Sequence, residues 1–355
     1  MTVLQVCAYG AEYAGNFIAS LETLEKALAE KGVETIYAFV DRAASRDWCK
    51  KIQQRTKVYF LPEAKARILP ETYRVFRRIY SENDISIVHS HFELYDIPAT
   101  VMAPKQIRVF WHLHDAIGEG YQKSSFSRRI LTHLQYGVVG RRARLLTVSR
   151  KHGDFAGSIG FPKDQIQYIP NGIDTGRIKL VTVNPHSGKF VMLGWDILRK
   201  GVDIAIKAGR SVQHGEIRIV VVGYEDCKAY LAENNASDCI CFQEPVSDVN
   251  LLYQDARAFL HISRAEGLSY ALLEVIYAGL PVICSDIPEN RFAAEFKNVH
   301  FVKCESDTEL ADAIDSIVEG AYIPAETDLA YNRKLIDDKY SMNAWCKTIM
   351  DTYLR

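Results

Sequence analysis

The chain has 355 residues, more than one ordinary core accommodates and about right for two domains. It is 48% hydrophobic and 25% charged with a formal net charge of −1, the profile of a soluble globular protein. No apolar run approaches the roughly 20 residues needed to span a bilayer, and the start MTVLQVCAYGAEYAG has neither the basic region nor the apolar core of a signal peptide, so a cytoplasmic protein is expected. The eight cysteines are scattered, with no CxxC and no Cys/His cluster at zinc spacing, and read as buried thiols.

Short apolar strands alternate with amphipathic stretches from the start. VLQVCAY reads as a strand and FIASLETLEKALAEKG as a helix, with Phe17, Leu21, Leu24 and Leu28 on one face and Gly32 as its stop. ETIYAFV, TKVYFL, ISIVHS, IRVFWHLH and RLLTVS follow, each strand-like and rich in β-branched or aromatic residues. Helical segments lie between them, which predicts βαβ units and a parallel sheet covered on both faces. AYGAEYAGNF after the first strand carries Gly10 and Gly15 but is not GxGxxG, which argues against a dinucleotide cofactor.

The pattern restarts with KFVMLGW as a strand and GVDIAIKAGRSV as a helix, then IRIVVVG, CICFQEP, AFLHIS and PVICSD as strands. Between the two series, Ile169–Gly188 holds Pro, Gly and Asn without a strong period, and the hinge is expected there. The tail from Tyr331 reads as helices. The expected domains are 1–175 and 176–335, with 336–355 returning to the first. Ligands of open parallel sheets bind outside the carboxyl ends of the strands, so the residues just after strands carry the functional information.

One such stretch, HISRAEGLSYALLEVIYAGLPVICSD, places Glu266 in the loop after a strand and Glu274 about one turn into a short, apolar, buried helix. That helix is expected to start at Ser269 or Tyr270 and to stop at Gly279. Its free N–H groups favour an anion such as a diphosphate, and Gly267 allows close backbone approach. An ionised Glu274 among Leu272, Leu273, Val275 and Ile276 needs hydrogen-bond partners. The hydroxyls of a ribose supply them; so does an arginine or a backbone cap. Glu266 can reach sugar hydroxyls, or lie on the surface.

This stretch resembles the E-x7-E region of retaining GT-B glycosyltransferases, in particular the large family 4, over some twenty residues from EGLSYALLEV to AGLPVICSD. LLTVSR followed by YIPNGID, LGWDILRKGVDIAIKA, IVVVG, DISIVHSHFEL and WHLHD extend the resemblance over nearly the whole chain, more specifically in its second half. It implies two Rossmann-like domains facing across a cleft, an acceptor domain followed by a nucleotide-sugar donor domain. It also implies transfer of a sugar from a nucleotide-sugar, a UDP-sugar by expectation, to a hydroxyl with retained configuration.

By the same resemblance, Lys200 and Arg199 meet the donor phosphates with the amides of Gly267, Leu268, Ser269 and Tyr270, and Glu274 meets the ribose. Glu266 acts on the sugar with help from His114, and Gly15 lies in the glycine loop beside the phosphates. The catalytic assignments are Glu266, His114 and Lys200. Trp195 stands where the family usually has Arg, and Pro288 and Glu289 stand where it often has glycines. Among the strand-end histidines His89, His91, His112 and His114 no carboxylate or cysteine completes a zinc set, and no DxD triplet occurs, so neither a metal nor a cofactor is expected.

Residues 1–175 hold 24 Lys+Arg against 18 Asp+Glu, and 176–355 hold 19 against 26. Gly120–Gly153 contains Lys123, Arg128, Arg129, Arg141, Arg142, Arg144, Arg150 and Lys151 and no acidic residue, interleaved with Ile130 and Leu131. Such a surface suits an anionic partner. No stacking-aromatic or helix-turn-helix signature points to nucleic acid. The basic segment fits a peripheral contact with an anionic membrane and a saccharide acceptor on a polyprenyl diphosphate, as in bacterial capsular and exopolysaccharide transferases. A non-catalytic partner subunit and a sugar-nucleotide epimerase on the same fold are the competing expectations.

Overall fold

The β-branched and aromatic runs become the strands of two parallel sheets. The computed structural model describes residues 1–114, 121, 122 and 124–354, so Asp115, Gly120 and Lys123 lie outside the described residues. The chain divides into two units, one of Met1–Gly172 together with the residues from Met342 onward, the other of Ile173–Ser341. The division thus falls three residues before the expected 175/176, and the return six residues after the expected 336.

In the first unit the strands are β1 (Thr2–Cys7), β2 (Glu34–Val40), β3 (Val58–Leu61), β4 (Ile85–His91), β5 (Arg108–Leu113), β6 (Ala143–Thr147) and β7 (Ile166–Tyr168). They lie in the order β3-β2-β1-β4-β5-β6-β7. Every residue of β1 is buried, as expected for a central parallel strand covered on both faces. The helix Gly15–Ala29 buries Phe17, Leu21, Leu24 and Leu28, the face its spacing predicts. The second unit holds β8 (Lys189–Leu193), β9 (Arg218–Val222), β10 (Ile240–Gln243), β11 (Ala258–His261), β12 (Val282–Asp286) and β13 (Val299–Lys303), in the order β10-β9-β8-β11-β12-β13. Both sheets reverse direction once, between β1 and β4 and between β8 and β11. Those are the topological switch points at which doubly wound sheets take their ligands.

The edge strands β7 and β13 carry no strong apolar signal in the sequence. Their residues are mostly half-buried, so the sheet edge supplies their pairing without a full hydrophobic run.

The helix Met342–Leu354 belongs to the first unit. Trp345, Cys346, Ile349 and Tyr353 complete a cluster with Val3, Leu24, Leu28, Ile87, Phe110, Leu146 and Ile169. Arg108 donates to the backbone carbonyls of Thr352, at 3.1 Å, and of Tyr353. No helix among the described residues is long and apolar enough to cross a membrane.

One face of β4 and β5 carries a file of histidines. His89 and His91 are two residues apart on β4, and His91 pairs in register with His112 on β5. Rings of His89 and His91 are 4.1 Å apart, those of His112 and His114 4.2 Å, and those of His89 and His112 stack at 5.2 Å. Gln5 and Tyr353 face the same file. Gln5 Nε2 donates to the Tyr353 hydroxyl at 3.1 Å, Gln5 Oε1 lies 3.0 Å from His91 Nε2, and the Tyr353 hydroxyl lies 2.5 Å from His89 Nδ1. Burial pushes His89 and His114 down to about 3, and pushes His91 and His112 well down with them.

Two outcomes follow for stability. Tyr353→Ala removes an aromatic ring from the cluster and leaves Gln5 and His89 short of a partner, so it lowers unfolding stability by about 3–5 kcal/mol, read from urea denaturation. The histidines bind protons in the unfolded chain below its ordinary pKa of about 6.5 but not in the folded one. Stability is therefore fully present above that pH and falls as pH drops toward 3, by about 1.4 kcal/mol per pH unit for each ring held neutral. His112→Leu gives a shallower decline between pH 6.5 and 4.5 by the same measurement.

Candidate active site

The switch point of the second sheet is built from two loops. The first leaves β8 at Gly194 and enters the helix Val202–Gly209 through Gly201. Gly201 has φ +75°, and a Cβ there would stand 2.4 Å from the Ile262 carbonyl oxygen, so only glycine lets this loop lie against the end of β11. The second loop leaves β11 at His261 and ends at Ser269, whose hydroxyl accepts from the Leu272 N–H at 3.3 Å and caps the helix Tyr270–Ala278. That helix stops at Gly279, in the left-handed region at φ +101°. Both its start and its stop are those read from the sequence.

The loops are tied to each other. Arg264 forms a fork with Asp203, at 2.7 and 2.8 Å, and reaches Glu305 at 2.7 Å, while its N–H donates to the Arg199 carbonyl at 2.8 Å. Nothing local in the sequence singles out Arg264 and Asp203, an Arg and an Asp 61 residues apart.

Lys200, Arg199 and Glu266 come together in this frame. Lys200 Nζ donates to Glu266 Oε1 at 2.5 Å, and both side chains are only 7% exposed. Arg199 Nη1 stands 3.5 Å from Glu266 Oε2, and its Nε donates to Asp196 at 2.6 Å. Burial pushes the Glu266 carboxyl up, but the Lys200 ammonium and its hydrogen bond outweigh it, and the carboxyl titrates below its ordinary value. Neither a surface glutamate nor a surface lysine describes this pair. Trp195 takes part as well: Lys200 Nζ lies 5.5 Å from the centre of its ring. An arginine at that position would repel the ammonium; the indole face attracts it.

Glu274 is 3% exposed and pairs with Arg177, on a short turn at Thr175–Arg177. The arginine alternative for this carboxylate is thus the one present in the chain without ligand. Arg177 lies in the low-period Ile169–Gly188 stretch, where nothing in the sequence singles it out. Gly267, Leu268, Ser269 and Tyr270 run from Glu266 into the first turn of the helix, with Leu268 and Ser269 buried. Asn290, also buried, donates to the Ser285 carbonyl and hydroxyl at 3.1 and 3.3 Å behind the loop.

Gly15 and His114 belong to the first unit. Gly15 opens the helix Gly15–Ala29 at φ +57°, the glycine-favouring region, with only ordinary contact from the Tyr9 hydroxyl at its Cβ position. His114 Nε2 lies 3.0 Å from His91 Nδ1, and the Phe17 ring packs edge-on against both imidazoles. One imidazole nitrogen from each of His89, His91 and His112 lies within 4.8 Å of the other two. His89 Nδ1 and the His91 nitrogens are engaged by Tyr353, Gln5 and His114.

Comparison with known proteins matches this architecture. Residues 19–177 match the family model described as Glycosyltransferase Family 4, and residues 181–335 match Glycosyl transferases group 1. A GDP-mannose:cellobiosyl-diphosphopolyprenol alpha-mannosyltransferase of Xanthomonas oryzae pv. oryzae is 26% identical over 156 residues, and the amylovoran biosynthesis glycosyltransferase AmsK of Erwinia amylovora 28% over 164. These matches span about two fifths of this chain and about two fifths of either relative. Among solved structures, Anabaena HepE in complex with UDP superposes with a TM-score of 0.78 at 14% identity over 99% of both chains. Sucrose-phosphate synthase from Thermosynechococcus elongatus superposes at 0.80 and 16%, over 99% of this chain and 98% of that one. The fold is GT-B, and the chain belongs to the group 1, family 4 glycosyltransferases.

Proposed function

We propose that this chain transfers a sugar from a nucleotide-sugar, a UDP-sugar in the first instance, to a hydroxyl of a saccharide acceptor, with retained anomeric configuration and without a metal. The observation that carries the reading is the buried Lys200–Glu266 pair, set at the switch point of the second sheet beside a capped helix N-terminus. It supplies, within hydrogen-bond reach, a cation for a leaving diphosphate and a carboxylate for a sugar that turns positive.

The diphosphate is taken by Lys200, Arg199 and the amides from Gly267 to Tyr270, and the ribose by Glu274, which exchanges Arg177 for two hydroxyls. As the bond from the anomeric carbon to the phosphate oxygen breaks, the acceptor oxygen bonds to the same face of that carbon. The acceptor's proton passes to the departing phosphate oxygen. Lys200 and Arg199 neutralise charge gathering on the diphosphate, and Glu266 orients the sugar and stabilises its positive charge. His114 contributes a hydrogen bond to the donor sugar, and Gly15 allows backbone approach to the phosphates. The relatives, a diphosphopolyprenol mannosyltransferase and an amylovoran biosynthesis enzyme, favour a lipid-linked saccharide acceptor and cell-surface polysaccharide synthesis.

Such an acceptor sits at a membrane, and the helix Phe126–Gly137 suits that surface. Phe126, Ile130, Leu131 and Leu134 are exposed on it, as is Val138 after it, alongside the basic Arg128 and Arg129. This is the pattern of a helix lying in an anionic interface.

Incubating the protein with UDP-, GDP-, ADP- and TDP-sugars without acceptor should give slow nucleotide release from one of them. Glu274→Ala abolishes it, Lys200→Ala lowers kcat/KM by about 10²–10³-fold, and a chelator leaves the rate unchanged. Release from none of them, with no nucleotide binding, sinks the proposal. For the membrane contact, the protein should sediment with vesicles containing phosphatidylglycerol and not with neutral ones, less so at high salt. Ile130→Ser with Leu131→Ser and Leu134→Ser removes the interaction without lowering thermal stability, since all three side chains are exposed.

A further inference from the structure

The charge balance around Glu266 cannot survive donor binding unchanged. The two cations that neutralise it are also those assigned to the diphosphate. A nucleotide-sugar brings two negative charges, so Glu266 and the donor together set three against Lys200 and Arg199. Glu266 is 6% exposed, and a buried carboxylate whose partner is drawn away is costly.

The titratable and charged groups around this carboxylate lie on five elements. The loop after β8 contributes Lys200, Arg199 and Asp196, the last bound to Arg199. The loop after β11 contributes Arg264, committed to Asp203 and Glu305. From β12 and the turn after it come Cys284, Asp286 paired with Arg291, Glu289 and Asn290. The helix Tyr270–Ala278 contributes Glu274, paired with Arg177. β11 itself contributes His261, 4% exposed and hydrogen-bonded through its ring to the Asn290 side chain, with Nε2 at 3.9 Å from Glu266 Oε1 and that nitrogen without a hydrogen-bond partner among the described residues. A buried, unpartnered imidazole nitrogen is uncommon, and here it points at the one carboxylate that donor binding unbalances.

We propose that His261 is a positioning residue for Glu266: when a donor diphosphate draws Lys200 away, the ring takes up one proton from solvent and its Nε2–H holds the carboxylate in the ammonium's place. The inference rests on the donor-binding reading of this site. In the chain without ligand, burial pushes His261 down to about 4, and the nearby Lys200 and Arg199 add to that while Glu266 opposes it. Moving Lys200 onto the phosphate removes a repulsion and uncovers the attraction, so proton affinity rises on binding. By linkage, donor affinity is highest at low pH and falls as pH rises through the bound-state titration of His261, approaching tenfold per pH unit for one proton.

The test is isothermal titration calorimetry of the full chain with UDP-glucose and GDP-mannose as probes, in buffers of different ionisation heat between pH 6 and 9. On the acid side of that range neither the diphosphate nor the base of either probe titrates, so a proton taken up there belongs to the protein. The expected result is uptake approaching one proton per bound probe on the acid side. His261→Asn and Glu266→Gln each abolish it, and their affinities become flat with pH; two variants guard against one failing to fold. Binding without proton uptake, or uptake that persists in folded His261→Asn, overturns the inference and leaves the donor site standing. Binding of neither probe, nor of the other donors in the panel, overturns both.

Discussion

A lysine and a glutamate, both nearly out of water, share a 2.5 Å hydrogen bond at the point where the second sheet reverses its strand order. Much of the surrounding structure serves that contact. Neither charge is tolerable alone, because an unpaired ion in this environment costs several kcal/mol. Each is therefore held by its own loop, and the loops are locked to one another by the Arg264 fork and the contact of Gly201 with the Ile262 carbonyl. The apolar helix behind them buries Leu272, Leu273, Val275 and Ile276 and so fixes where its N-terminus points. Rigid support is what a preorganised electrostatic site requires, since groups that need not rearrange cost nothing further when charge develops.

What the sequence made legible was local. The buried face of the first helix, the cap at Ser269, the stop at Gly279 and the central strands follow from spacing and from glycine and serine chemistry, while the first helix itself begins two residues before the expected Phe17 and ends at Ala29, short of Gly32. Glu266 was readable because it lies just after a strand, where parallel sheets take their ligands, and Lys200 through the resemblance of its loop to the family's. Partners supplied from far along the chain were not readable. Arg177 beside Glu274, Arg264 across from Asp203 and Tyr353 against Gln5 are separated by 61 to 348 positions, and no period or motif announces them.

Trp195 shows how a departure from a family pattern acquires physical content only in the fold. On paper it deletes a positive charge. In the structure its ring faces the Lys200 ammonium, and it keeps one cation where two would repel. The chemistry of the loop then depends more heavily on Lys200 and on Arg199, whose guanidinium stands at the rim of the pair.

The docking of Met342–Leu354 onto the first unit bears on how the protein is made. Residues 173–341 form the second unit, so a ribosome must synthesise that whole unit before the helix that completes the first one emerges. Until then Val3, Ile87, Phe110 and Leu146 lack their cover, and Gln5 and His89 lack the Tyr353 hydroxyl. The amino-terminal unit, begun first, is finished last. A nascent chain therefore carries an open apolar seam through much of its synthesis, the kind of surface that chaperones bind.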